Sequence, residues 1–345
     1  MGEPGRPGSS GCVGFAKGLA FRSATAGKGG SKVQRIGYRH QRTLATSTEI
    51  VGPGMVTGAK IRVKMHPAPE NTGVVFVRTD LPGTPVVPAR ADVVTSTQRR
   101  TTLGGGDSAV TLVEHLLATL AGLRVDNCIL ELDGPEPPGL DGSAAGFVEV
   151  INKAGFELQS GRRAIWTVKE PVTLSQAGAT VTFHPLPEGA PTDLTASYLL
   201  DYGHDSDIPK QSHTMIVTPE SFAGEVANCR TFVLEREALM LRAVGVGKHL
   251  TARDLLVFGP KGLIDNTLRH GNEPARHKTL DLIGDLSLCR VDLAGHVVAY
   301  RSGHSLNVAM AKNLIAQARD AGAELPPLSP QILDRPSFPG RRRTG

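Results

Sequence analysis

Pro274-Ala-Arg-His-Lys-Thr-Leu-Asp-Leu-Ile-Gly-Asp-Leu286 is the stretch around which the rest of the 345-residue chain is organised. Its spacing predicts a helix with His277, Asp281 and Asp285 at i, i+4 and i+8. Successive members are rotated by only about 40° and so share one stripe. Leu280, Leu282, Ile283 and Leu286 supply the apolar positions that seat such a helix on a core. An imidazole and a carboxylate one turn apart can grip a single divalent ion, and the second carboxylate is placed to orient a group beside it. Taken alone, this spacing is more often a polar flank with ordinary i,i+4 pairs. The rest of the chain has to decide.

Thr111-Leu-Val-Glu-His-Leu-Leu-Ala-Thr-Leu-Ala-Gly122 reads as a second helix, ending at a glycine. Its adjacent Glu114 and His115 point roughly 100° apart, so one can ligate a metal while the other reaches the water beside it. His115 completes a His–His–Asp set with His277 and Asp281. Three protein ligands with a fourth position open describe a catalytic zinc site rather than a structural one. Glu114 could then take the proton from the water. Ser302-Gly-His-Ser-Leu-Asn307 follows a strand and opens a helix, a usual position for catalytic groups. His304 in that turn could protonate a leaving amine while Asp285 holds it charged. In Cys229-Arg-Thr-Phe232, the Thr231 hydroxyl could donate to an oxyanion and Phe232 offers an aromatic face. Each of these has a bland counterpart: a surface acid with a core-edge imidazole, a backbone-satisfied cap histidine, an uninformative tetrapeptide. Gly104-Gly-Gly106 lacks the phosphate-loop pattern and reads as a turn.

Around these stretches the chain repeats a theme. Lys60–Met65, Gly73–Arg78 and Asn127–Asp133 read as strands, and Ser143 can cap a helix running to Gly155. Strands are expected again at 164–168, 179–184, 194–202 and 295–301, with helices at 219–227, 274–288 and 304–321. The order of elements gives an α+β fold of two similar domains meeting face to face, 41–165 and 166–322, with 233–264 as an excursion from the second. Residues 1–40 are rich in Gly, Ser and Arg, with Glu3 as their only acid, and resemble an organelle transit peptide. A basic tail that addresses nothing is the alternative. Mitochondrion is the preferred destination and plastid the other, with the protein soluble after removal of the segment. Residues 323–345 read as a disordered tail.

The formal charge of +5 lies largely at the two ends, so it is no argument for nucleic acid. Four scattered cysteines (Cys12, Cys128, Cys229 and Cys289) argue against a disulfide framework. No run approaches the roughly 18 apolar residues that span a bilayer, which excludes an integral membrane protein with helical spans.

The long motifs at 111–122, 140–145, 230–232, 276–286 and 299–307 together resemble the zinc-dependent UDP-3-O-acyl-N-acetylglucosamine deacetylases, in an organelle-targeted eukaryotic form. The resemblance covers residues 41–322. It implies a β-α-α-β sandwich with one zinc ion at the domain junction. The implied reaction is hydrolysis of the acetamide of UDP-3-O-(3-hydroxyacyl)-N-acetylglucosamine, the committed step of lipid A biosynthesis. By the same resemblance His115, His277 and Asp281 hold zinc, Glu114 is the base, and His304 with Asp285 is the acid. Thr231 and Lys278 stand near the oxyanion, and Phe232 contacts substrate. Asp201 and Tyr202 match the pair that receives uridine, Arg301 the residue that meets the diphosphate, and 233–264 the insert forming the acyl passage. A monomer is expected.

Two departures stand out. Val56 occupies a position where the family usually has histidine, and Gly146 replaces a usual proline. Two rival readings remain: a zinc protein that binds UDP-acyl-sugars without turnover, and a zinc amidohydrolase of another N-acyl sugar.

Overall fold

The computed structural model describes residues 22–23 and 32–324. Its helices are α1 (Glu114–Gly122), α2 (Ala145–Ala154), α3 (Pro219–Ser221), α4 (Glu235–Ala243), α5 (Glu273–Ser287) and α6 (His304–Asp320). Lys60–Pro67 shows why the strands form where they do: Ile61, Val63 and Met65 are buried while Lys60 and Arg62 are exposed, the alternation of a half-buried strand. This strand lies in a five-stranded sheet ordered Thr48–Pro53, Lys60–Pro67, Cys128–Leu132, Val74–Arg78, Val86–Pro88. Cys128–Leu132 runs antiparallel to Lys60–Pro67 and parallel to Val74–Arg78.

A six-stranded sheet is ordered Arg22–Ser23, Val172–Gln176, Ala179–His184, Gly295–Tyr300, Leu194–Leu200, Gln211–Ile216. Only Leu194–Leu200 and Gly295–Tyr300 are parallel neighbours in it. One buried cluster runs from Val63 and Phe76 of the first sheet, through Leu116, Leu120, Leu280 and Ile283, to Val181, Phe183 and Val297 of the second. The layers are therefore sheet, helices, helices, sheet. α1 and α5 lie in the middle, where most of their residues are buried. A helix buried on all sides can carry charged side chains only if they find partners there.

The two central helices touch backbone to backbone. A Cβ on Gly284 of α5 would lie 2.3 Å from the carbonyl oxygen of Glu114, so only glycine permits this crossing. At the start of α5 Pro274 needs no partner for its missing N–H, and Glu273 faces the positive end of the helix dipole.

Several boundaries differ from the sequence reading. A strand is already present well before residue 41, because Val33–Leu44 pairs with Phe156–Val168 along nearly its whole length. That partner strand runs through residue 165 and also pairs with Asp292–Leu293, so the expected division falls inside a shared strand. α1 starts at Glu114 rather than Thr111, since Leu112 takes a left-handed conformation (φ 56°) just before it. The helix expected at 219–227 is a single α turn followed by a π-helix, Phe222–Val226. The expected transit segment, up to residue 31 apart from 22–23, and the tail beyond 324 lie outside the described residues.

Candidate active site at the crossing of α1 and α5

His115 on α1 and His277 and Asp281 on α5 meet where the helices cross, each buried, with their ligating atoms all within 4.8 Å of one another. Asp281 Oδ1 lies 3.6 Å from His115 Nε2 and 3.5 Å from His277 Nε2. The imidazole rings stand edge to face, centroids 4.9 Å apart. His277 Nδ1 is 3.0 Å from the Cys229 carbonyl. It must donate there, which leaves the Nε2 lone pair facing inward. Asp281 Oδ1 is buried yet has no hydrogen-bond partner. Burial pushes the His277 imidazole down to about 4, so it is neutral at pH 7. Burial works against ionisation of Asp281, but Lys278 and His277 outweigh it and hold the carboxyl well below its usual range.

A neutral imidazole beside an ionised carboxylate can serve as a ligand set. Two donors about 2.1 Å from a tetrahedral zinc stand about 3.4 Å apart. The observed 3.5 and 3.6 Å fit such an ion.

A carboxylate and an imidazole adjoin these groups. Glu114 Oε1 lies 3.8 Å from His304 Nε2, and its Oε2 accepts the Thr101 backbone N–H at 3.1 Å. Burial raises the Glu114 carboxyl above its ordinary value, against the pull of His304 and His115. His304 Nδ1 donates to Asp285 Oδ2 at 2.8 Å. Asp285 also accepts the Thr101 hydroxyl at 2.6 Å and Asn307 Nδ2 at 3.0 Å. Burial would lower the His304 imidazolium, but Asp285 and Glu114 overcome it and carry it up to about 9. It is therefore cationic at neutral pH. Left-handed residues precede both groups: Leu112 (φ 56°) ahead of Glu114, and Arg301 (φ 53°) ahead of His304. Strain of this kind collects at functional turns.

The remaining expected residues surround one cavity of about 990 Å³ that reaches Glu114, His115, His277, Asp281 and His304. Lys278 Nζ donates to Asp281 Oδ2 at 2.8 Å. Thr231, Phe232, Asp201, Tyr202 and Arg301 all line the wall, as does Val56. Phe232 is the hub of an aromatic group, edge-on to His277 at 6.2 Å and to Tyr202 at 6.1 Å. Asp201 is held by the Tyr300 hydroxyl at 2.9 Å and Lys210 at 3.3 Å. From the excursion, Leu241, Val246, Leu250, Val257 and Ile264 supply an apolar wall. Asp285 lies behind His304, away from the cavity.

Two features escaped the sequence reading. Thr101 ties Glu114 to Asp285, and nothing about a lone threonine before the short hairpin Thr102–Leu103/Val110–Thr111 announces it. Arg230 forms a buried pair with Glu273 (2.8 Å) and reaches Asn266 and Thr267, fastening the segment before Thr231 to the start of α5. The Glu-Pro at that helix start was the available signal.

The family model for UDP-3-O-acyl N-acetylglycosamine deacetylase matches residues 41–316. A UDP-3-O-acyl-N-acetylglucosamine deacetylase of Nostoc sp. is 39% identical over 284 residues, covering 80% of this chain and 98% of the relative. One from Thermosynechococcus vestitus is 40% identical over 279 residues, covering 81% and 95%. One from Chlamydia abortus is 38% identical over 278 residues, covering 80% and 97%. With a site of this construction beneath a match of that length, the chain belongs to the UDP-3-O-acyl-N-acetylglucosamine deacetylase family.

Proposed function

We propose that the protein hydrolyses the acetamide of UDP-3-O-(3-hydroxyacyl)-N-acetylglucosamine, giving UDP-3-O-acyl-glucosamine and acetate, the deacetylation step of lipid A biosynthesis. The observation that carries the mechanism is the buried, unpartnered Asp281 Oδ1 facing two imidazole nitrogens. A buried carboxylate oxygen without a partner is costly unless a ligand supplies one. His115, His277 and Asp281 would hold one zinc ion. A zinc ion there supplies Lewis acidity, bringing the pKa of water towards neutrality and polarising a carbonyl.

The rest is the work of the chain's own residues. Glu114 takes the proton of the attacking water; burial, by raising its carboxyl, makes it a stronger base than an ordinary glutamate. His304, charged and steered by Asp285, gives a proton to the departing amine nitrogen. The positive charge of Lys278 and the hydroxyl of Thr231 favour the oxyanion that develops on the acetyl carbonyl. Phe232 and the apolar wall of 233–264 take the acyl chain, while Asp201, Tyr202 and Arg301 receive the nucleotide. The chain is read as two α+β halves working as a monomer. Residues 1–40 are read as an address to an organelle, mitochondrial with plastid as the alternative. No described helix is long and apolar enough to cross a membrane.

The test is metal analysis of the purified chain combined with acetate release from the UDP-sugar. The expected result is one zinc ion per chain and turnover that collapses in Glu114→Gln while zinc stays bound. Stoichiometric zinc with no acetate release would overturn the reading, and the reporter-fused segment 1–45 staying diffuse in the cytosol would overturn the address.

A further inference from the structure

The excursion 233–264 has two apolar sides, and the acyl wall accounts for only one. On its outer side Leu239, Met240 and Val244 are 61%, 60% and 75% exposed, three of the four most exposed large apolar side chains among the described residues. They sit together on α4 and the residue that follows it. Leu239 also lines the cavity, so the outer patch is continuous with the cavity wall.

The charges of the same segment are sorted by sign. Its basic residues, Arg236, Arg242, Lys248, Arg253 and Lys261, are all exposed. Its acids, Glu235, Glu237 and Asp254, are all half-buried. Glu237 is met by Arg99 at 3.4 Å, and Asp254 accepts the backbone N–H and hydroxyl of Thr251 at 2.7 and 2.8 Å. The nearest exposed acid along the chain beyond it is Asp265.

Large apolar side chains in water with nothing over them mark a surface that something else covers. Cations interleaved with them select what that is. A second copy of the same face would bring like charges together. A bilayer with anionic headgroups answers both demands: leucine, methionine and valine enter the headgroup–acyl boundary while lysine and arginine meet phosphates. We propose that α4 and the turn after it dock the protein on an anionic membrane surface, with the cavity wall beside the lipid. The docking stands on the patch itself. If the cavity takes an acyl chain, as proposed above, docking places its exit beside the lipid that an acylated product would join.

The experiment is flotation of the full chain with vesicles of phosphatidylglycerol and phosphatidylcholine in equal parts, against vesicles of phosphatidylcholine alone. The expected result is binding to the anionic vesicles that weakens as salt is raised. Met240→Glu/Val244→Glu should weaken it roughly tenfold or more. Removal of Arg236 or Lys248 to alanine should weaken it about fivefold each. These side chains lie outside the cavity wall, and an unchanged far-UV spectrum and metal content show that the variants are folded. Equal flotation of wild type and Met240→Glu/Val244→Glu would assign any binding to the basic N-terminal residues and overturn the proposal. So would an absence of flotation, or a wild-type dimer that the double variant dissociates, which would make the partner a second copy. None of these readouts depends on turnover, so the docking and the deacetylase reading can fail separately.

Discussion

The two ends of the α1–α5 pair each hold a group of charges, half-buried around Asp126 at one end and buried at the other, and the groups are built on opposite rules. At the end where Leu120, Ala121, Leu286 and Ser287 lie, Arg39 and Arg163 meet Asp126 and Asp292. Arg39 reaches Asp126 at 2.6 and 2.8 Å and Asp292 at 2.8 Å. Arg163 reaches Asp292 at 2.9 Å and Asp126 at 3.3 Å. Two guanidiniums answer two carboxylates, and the group closes on itself. At the other end Glu114, Asp281 and Asp285 face only Lys278 and His304 as cations, and one oxygen of Asp281 has no partner. The first group fastens the strand Val33–Leu44 to Phe156–Val168 and Asp292–Leu293. The second leaves negative charge and lone pairs turned towards a space. A cluster that balances its charges reads as structure; a buried one that leaves a remainder reads as a place for a ligand.

The comparison breaks most sharply under substitution. Glu114→Gln keeps the shape of the open group and removes the base proposed for it, so turnover should fall about 10²–10⁴-fold with the melting curve little moved. At the closed end the pattern should invert. Asp126→Asn leaves two guanidiniums sharing one carboxylate, and should cost roughly 3–5 kcal/mol of unfolding free energy. Below its lowered melting temperature, turnover per folded molecule should stay near wild type. A large loss of kcat in Asp126→Asn at a temperature where the chain is folded would mean that the two ends are not independent.

That inversion also explains what could be read from the sequence. The open group is written on one helix face: His277, Asp281 and Asp285 are one turn apart, and helical periodicity alone aligns them. The closed group joins residues 87 and 253 positions apart in sequence, and no local period links Arg39 to Asp126 or Asp292. For the same reason residues 33–40 of the strand Val33–Leu44 read as the end of a transit segment. Its Gln34 and Arg35 face solvent, and its place in the fold comes from a partner more than a hundred residues away. The layers were legible because strands such as Lys60–Pro67 alternate so plainly. The start of α1 was not, because a leucine in the left-handed region gives no compositional sign.

Thr101 sharpens the comparison from inside the open group, since it gives that group the closure its cavity-facing side lacks. Its backbone N–H and hydroxyl hold Glu114 and Asp285 in one fixed relation. Thr101→Val retains the backbone bond and leaves Asp285 Oδ1 without a donor, a loss of about 1–3 kcal/mol. We expect kcat to fall roughly tenfold with KM little changed, and Thr101→Ser, which restores the hydroxyl, to recover most of it. A fall that serine does not rescue would mean that the residue acts through packing alone.

The smallest effect is a displacement of the pH profile. The His304 imidazolium is carried up to about 9, above the ordinary imidazole value near 6.5. In the proposed role of proton donor it is competent while charged, so kcat/KM should hold through neutrality and fall as pH rises through about 9. Linkage has the same sign. A folded-state value above the unfolded one contributes stability that is complete below about 6.5 and is lost as pH climbs through 9. Burial alone would lower His304, and the carboxylate of Asp285 is the first of the groups that reverse it. In Asp285→Asn the basic limb should therefore move down towards the ordinary imidazole range. In Asp126→Asn it should not move, because the closed group's guanidiniums keep their charge throughout and lie at the other end of the helices. A basic limb that stays near 9 in Asp285→Asn would take the proton donor's role away from His304 and leave Lys278, the other cation beside Asp281, to fill it.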